Sequence, residues 1–185
     1  MLVALGIGAC SGPPATQGTQ TSSSTTATVP AVTPSSASPS PSASTDPATA
    51  AKAAYVAYVQ AVDRAYGNPE KATRTQLSQV ATNGALTFLL SQLDALRKDK
   101  VHQKGSATVQ KMTVKSVSPA SGQRSAQVFM NACVDFSHST YVDAQGKPYF
   151  PGEKDYQLSK ATVNLVHDHG DWLVADETNA PVRSC

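Results

Sequence analysis

The chain has 185 residues, 15 Lys+Arg against 13 Asp+Glu, a net charge of +2 and only 15% charged residues. That length holds one ordinary domain, or a smaller one with a tail. The charge balance disfavours strong nucleic-acid binding, and no apolar run approaches the roughly 20 residues of a membrane-spanning helix. The charges are also unevenly spread: residues 1–50 carry only Asp46, and every other charged side chain lies in 51–185.

Leu2 to Ala9 form an apolar run that stops at Cys10. An export signal needs such a run with small residues before its cleavage point, and Gly8 and Ala9 supply them. Ile7-Gly8-Ala9-Cys10 resembles the bacterial lipobox, whose Cys is diacylated and becomes the first residue of the mature protein. Residues 1–9 are therefore expected to be a signal peptide and Cys10 a lipidation site, with a plain secretory signal as the alternative. No Lys or Arg precedes Lys52, so the basic segment of such signals is expected upstream of Met1. Two acyl chains hold a protein stably on a membrane where one does not. The expected location is the extracytoplasmic face of the cell membrane.

Residues 11–46 are almost entirely Ser, Thr, Pro and Ala, without an aromatic ring. Such a stretch cannot bury enough apolar surface to offset its conformational entropy. With Cys10 it is expected to be a disordered tether over 10–46, with a reach of about 30–36 Å as a coil.

The domain is expected over 47–185. Pro47 opens a helix whose face carries Tyr55, Tyr58, Val59, Val62 and Tyr66, with Lys52, Gln60, Asp63 and Arg64 on the other side. Gly67 ends it. Asn68-Pro69-Glu70 opens a second helix, with Leu77 and Val80 as its short apolar face, and Asn83-Gly84 breaks it. A third helix carries Leu86, Leu89, Leu90, Leu93 and Leu96 and ends in the cations of Arg97 to Lys100. From Gly105 the pattern turns to strands. Ala107 to Val117 is the first, and Ser118 to Gly122 a turn. In the second, Val128, Met130, Ala132, Val134 and Phe136 alternate on one face. Residues 143–155 form a loop. Tyr156 to Val166 is the third strand, His167 to Asp171 a tight connection, and Trp172 to Ala175 the fourth. The expected fold is α+β: two to three helices packed on a curved four-stranded antiparallel sheet.

The Leu-rich helix followed by Gly105, the segment Cys133-Val134-Asp135, the Gly146 loop, Gly170-Asp171-Trp172-Leu173-Val174 and the terminal Cys185 carry a resemblance. Over residues 50–185 the chain resembles small actinobacterial lipoproteins of the nuclear transport factor 2-like or cystatin-like (SnoaL-like) cone fold, a family without an assigned reaction. The resemblance implies a conical sheet wrapped by helices with a pocket between them. Cone-fold relatives include ketosteroid isomerases and polyketide cyclases, which use an Asp or His base and polar donors. By that likeness Asp135 is the candidate base, Tyr55, Tyr58 and Tyr66 the candidate donors, and Trp172 a further pocket residue.

With Cys10 acylated, Cys133 and Cys185 remain as a pair in an oxidising compartment, where a disulfide is expected. Closing a loop of that length contributes about 4 kcal/mol in the chain-entropy picture. Two free thiols are the alternative. Arg97, Lys98, Lys100, Lys104, Lys111, Lys115 and Arg124 form a basic stripe that is either a solvated face or a site for an anionic wall polymer or lipid head groups. His167, Asp168, His169 and Asp171 have metal-ligand side chains, and His-x-His on a strand end puts both imidazoles on one side. The run reads more simply as a polar hairpin turn, so no metal and no cofactor are expected. The functional expectation is a non-enzymatic, membrane-anchored binding or interaction module at the cell envelope. Its partner would be an envelope protein or anionic wall polymer, with no nucleic acid involved. The alternative is a cone-fold enzyme or carrier for a small apolar ligand, and catalytic residues are then not assignable beyond the pocket candidates.

Overall fold

The computed structural model describes residues 46–149 and 157–185. The expected signal segment, Cys10, the expected tether before Asp46, and residues 150–156, which span the end of the expected loop and the start of the expected third strand, lie outside the described residues. The described residues all fall in the unit Pro41–Cys185.

Helix α1 runs Pro47–Gly67. Asp46 caps it by accepting from the Thr49 backbone N at 3.0 Å, and Pro47 occupies the first turn, where its missing N–H costs nothing. The expected second helix is broken in two. A 3-10 turn spans Pro69–Lys71. Helix α2 is the single turn Arg74–Leu77, entered by a capping box between Thr73 and Gln76. That box starts a new helix where the sequence pattern suggested continuation. Helix α3 is Asn83–Asp99, so Asn83-Gly84 opens it. It ends with Lys100 in the left-handed region at φ 55° and Val101 N donating to Leu96 O at 2.9 Å, the closing bond of a Schellman turn.

Strands follow at β1 His102–Gly105, β2 Thr108–Ser118, β3 Gln127–Asp135, β4 Ser139–Val142, β5 Leu158–Asp168 and β6 Asp171–Val182. The main sheet is antiparallel in the order β2-β3-β5-β6, as the sequence pattern predicts. The helices cover one face of it. Val128, Met130, Ala132 and Val134 of β3 and Ala161, Val163 and Leu165 of β5 share one core with Ala51, Tyr55, Leu77, Leu89 and Leu93 of the helices. Among the described residues no helix is long and apolar enough to cross a membrane.

Two features depart from the expected meander. The β2–β3 ladder stops at Thr108 and Asp135 and resumes beyond a break as the β1–β4 pair, with Gly105 opposite Ser139. Gly105 holds φ +87°, and a Cβ there would collide with the His138 carbonyl, so only glycine fits this bend. The last strand is also far longer than Trp172 to Ala175. It carries a bulge where Leu165 pairs with Val174 and Asn164 with Asp176. Both Val174 and Ala175 are buried there, and this interrupts the alternation that would have extended the reading. The free edge of β6 is met by the α2–α3 connection. Val174 N donates to Val80 O at 3.0 Å, and Thr82 N donates to Val174 O at 2.8 Å.

Candidate functional site

A cavity of about 200 Å³ lies between α1, α3 and the helix-facing side of the sheet. Helix α1 supplies Tyr55, Tyr58, Val59, Val62, Asp63 and Tyr66, helix α3 supplies Phe88, Leu89 and Gln92, and β6 supplies Glu177 and Asn179. Val134, Phe136, Gln103, Ala107 and Tyr141 complete it. Phe88 and Phe136 are 57% and 38% exposed, which marks the mouth. Among the described residues the lining contains two carboxylates and no Lys, Arg or His.

Glu177 is opposite Val163, one of the core-facing residues of β5, so its side chain enters the layer between sheet and helices. Tyr55 Oη donates to Glu177 Oε1 at 2.7 Å, and Tyr58 Oη donates to Oε2 at 2.8 Å. The two rings stack with centroids 5.9 Å apart. A carboxylate accepts about four hydrogen bonds, so each oxygen keeps capacity for a further donor. Burial, reinforced by the Glu177 charge, pushes both phenols far above the ordinary tyrosine range. They therefore act as fixed donors. Burial raises Tyr66 in the same way.

Asp63 is the second acid. Its Oδ1 accepts from Gln103 Nε2 at 2.6 Å, and its Oδ2 accepts from the Ala107 backbone N at 3.0 Å. Ala107 lies in the break between β1 and β2, so Asp63 satisfies a backbone donor that the interrupted ladder leaves over. Burial pushes the Asp63 carboxyl above its usual range, against the lowering effect of those two hydrogen bonds. Tyr141 is pushed up to about 12 by burial and by the charge of Asp63.

The sequence-level candidates are distributed as follows. Tyr55, Tyr58 and Tyr66 line the cavity. Asp135 does not. It directly follows the cavity residue Val134, and strand alternation turns it to the other face. It is partly exposed, accepting from Ser137 N at 2.8 Å and Gln110 Nε2 at 2.6 Å. The Ser137 amide bond is the chief reason its carboxyl lies below the usual range. Trp172 is also outside the cavity. It sits at the β5–β6 turn, paired with His167 at a ring distance of 5.2 Å. Glu177 lay past the expected end of the last strand. Asp63, expected on the polar side of α1, instead faces the cavity, since its spacing of four from Val59 puts it on the buried stripe.

Cys133 and Cys185 are joined in a disulfide, with Cα atoms 6.0 Å apart and a separation of 52 positions in sequence. The bridge lies on the sheet face opposite the helices, beside a groove lined by Lys111, Lys115 and Lys160. The basic stripe is dispersed. Lys98 and Lys100 end α3, Lys104 is on β1, and Arg124 is in the β2–β3 turn. Arg97 is structural: Nε donates to Pro69 O at 3.0 Å, Nη2 to Ala72 O at 2.7 Å, and Nη1 to Asp94 at 3.0 Å. Of the seven, only Lys111 and Lys115 meet, and Lys160 joins them. His169 is in the turn at φ 49° rather than in a strand, so alternation does not set it beside His167. Its side chain is 95% exposed, and no cluster of three metal-ligating side chains occurs among the described residues.

No family model matches the sequence, and no curated protein matches it significantly. Among solved structures, the chain is similar to the intermembrane space region of the chloroplast protein ARC6 at 13% identity and a TM-score of 0.49, over 72% of this chain and 97% of that one. It is similar to a candidate aromatic ring hydroxylase of Novosphingobium aromaticivorans at 12% identity and 0.45, over 73% and 88%. It is also similar to the candidate transfer protein TraH of the Gram-positive conjugative plasmid pIP501 at 12% and 0.38, over 75% and 97%.

Proposed function

We propose that this chain is a lipid-anchored, extracytoplasmic binding module of the nuclear transport factor 2-like cone-fold lipoproteins, recognising its ligand in the cavity bounded by α1, α3 and β6. The apolar segment ending in Cys10 and the Ser/Thr/Pro/Ala run behind it support the anchor and the stand-off from the membrane. The observation that carries the recognition role is Glu177, a carboxylate drawn between sheet and helices and fixed by two phenols at the wall of a cavity. A pocket with an apolar body and a few placed polar groups is the form a small-ligand site takes. Its volume of about 200 Å³ suits a small molecule or a single side chain. Both oxygens of Glu177 already accept from protein hydroxyls, which favours recognition over proton abstraction. Lys111 and Lys115 of the expected stripe, joined by Lys160 in the groove on the other face, would suit an anionic wall polymer.

The test has two arms on the full chain. Mass spectrometry of the mature protein from a native host should find a diacylated Cys10, and an unmodified cysteine there contradicts the anchor. A thermal-shift screen of small metabolites should give hits that disappear when Val62→Trp fills the cavity, with the variant's own melting confirming its fold. Hits that survive the substitution contradict the pocket.

A second reading, a cone-fold enzyme or carrier, is favoured by the presence of Glu177 and Asp63 in one cavity. In its enzyme form it predicts chemical change in a bound hit. The binding-module reading predicts recovery of every hit unaltered.

A further inference from the structure

We infer that the cavity selects a small organic cation, an ammonium or guanidinium carried on an apolar stem. The inference rests on the binding-module reading and names the ligand class for the same site.

Three observations converge. The first is charge: among the described residues the lining holds the carboxylates of Glu177 and Asp63 and no basic side chain. An anionic ligand would meet two like charges and find no countercharge, whereas a cation would find two partners. The second is acceptor capacity. Tyr55 and Tyr58 occupy one acceptor site on each Glu177 oxygen, and the remaining lone pairs need donors, which an ammonium supplies in threes and a guanidinium in fives. The third is the wall. Aromatic rings of Tyr66, Tyr141, Phe88 and Phe136 join the Tyr55–Tyr58 stack. Aromatic faces attract cations, most strongly where water is displaced, and they also accommodate an apolar stem.

Segregation of charge across the sheet supports the same conclusion. The lysines of the main sheet that gather do so on the opposite face, around the disulfide. Among the described residues, the only charged side chains at the cavity on the helix-facing side are acids.

Calorimetric titration of the full chain at neutral pH with phenethylamine, its neutral analogue phenethyl alcohol and the anion phenylacetate tests the inference. Phenethylamine should bind with a dissociation constant in the micromolar to millimolar range and more weakly as salt rises. The alcohol and the acid should bind at least about ten-fold more weakly. Glu177→Gln keeps the shape and can still accept a tyrosine hydrogen bond. It should weaken phenethylamine about ten-fold or more while leaving the alcohol unchanged. Titrating N-acetyl-Ala-Lys-Ala-amide alongside, which is charged at the lysine ammonium alone, separates a side-chain ammonium from a free amine, and binding of either supports the cation site. If the alcohol or phenylacetate binds as tightly as the amine, the cation inference falls and the binding-module reading stands. If a folded Glu177→Gln variant binds the amine unchanged, Glu177 is not the recognition group. If neither cation binds while the thermal-shift screen still gives cavity-dependent hits, only the inference is overturned. If that screen is also empty, both fail.

Discussion

The two faces of the four-stranded sheet are built from the same strands and have opposite chemistry. On β3, Val128, Met130, Ala132 and Val134 turn towards the helices and are almost wholly buried. Asn131 and Cys133, between them in sequence, turn the other way and line the lysine groove. The helix-covered face thus holds an apolar core that opens into a cavity with two carboxylates. The opposite face has no helix on it among the described residues, and the Cys133–Cys185 bridge ties the chain end across it. Burial by packing stabilises one side, and a covalent cross-link together with solvated charge serves the other. Polar groups on the packed side must find partners, which is why Glu177 and Asp63 are each held by two donors.

Substitutions on the two faces should therefore differ in kind. The largest loss is expected from the packed side. Leu89→Ala or Leu165→Ala, at side chains 2% and 0% exposed, should cost about 2–5 kcal/mol in urea unfolding. On the other face, Cys133→Ser with Cys185→Ser should cost a comparable or smaller amount, about 2–4 kcal/mol. The cavity itself should be unchanged, as judged by amide NMR shifts of Val134 and Glu177. Loss of the cavity signals along with the bridge would mean that the two faces are not independent.

A smaller effect is expected at the wall. Tyr55→Phe or Tyr58→Phe should each cost about 1–2 kcal/mol, because a hydrogen bond to a half-buried carboxylate is removed. The double variant should cost less than the sum, since both hydroxyls serve one group. Asp63 gives the pH dependence. Its folded-state pKa is raised by burial, so the native state holds this proton more tightly than the unfolded chain. The stability linked to it is present below the ordinary carboxylate range and is lost as pH rises through the shifted value. The stability of wild type relative to Asp63→Asn should thus decline as pH rises above the ordinary carboxylate range, measured by urea unfolding at each pH. A rise would contradict the burial of Asp63. The smallest stability effect, within about 0.5 kcal/mol, is expected for Lys111→Glu with Lys115→Glu on the solvated face. Any loss of envelope association in that variant would then report on the groove alone.

Periodicity in the sequence made the α1 and α3 faces legible, along with the alternation of β3 and β5, because each is regular over its whole length. Legibility failed where geometry departs from one period. Thr73 and Gln76 start a fresh helical turn inside what looks like one helix. The bend at Gly105 splits one ladder into two, so β1 and β4 are too short to show a pattern. The bulge at Ala175 hid the rest of β6 and with it Glu177. Asp63 shows the converse error: its spacing was correct for the buried stripe and its charge argued against it. A backbone donor freed by a broken ladder is a tertiary fact that no local pattern carries. The Tyr55, Tyr58 and Tyr66 spacing was visible, and the carboxylate that the first two bind was not.

The central claim is that recognition takes place at the carboxylate-bearing cavity on the packed face. Amide chemical-shift mapping of the isotope-labelled full chain during titration with phenethylamine tests this most directly. The account predicts saturable shifts at Asp63, Gln103, Val134 and Glu177, with Lys111, Lys115 and Lys160 unmoved. Shifts confined to the three lysines and the residues around the disulfide would contradict it.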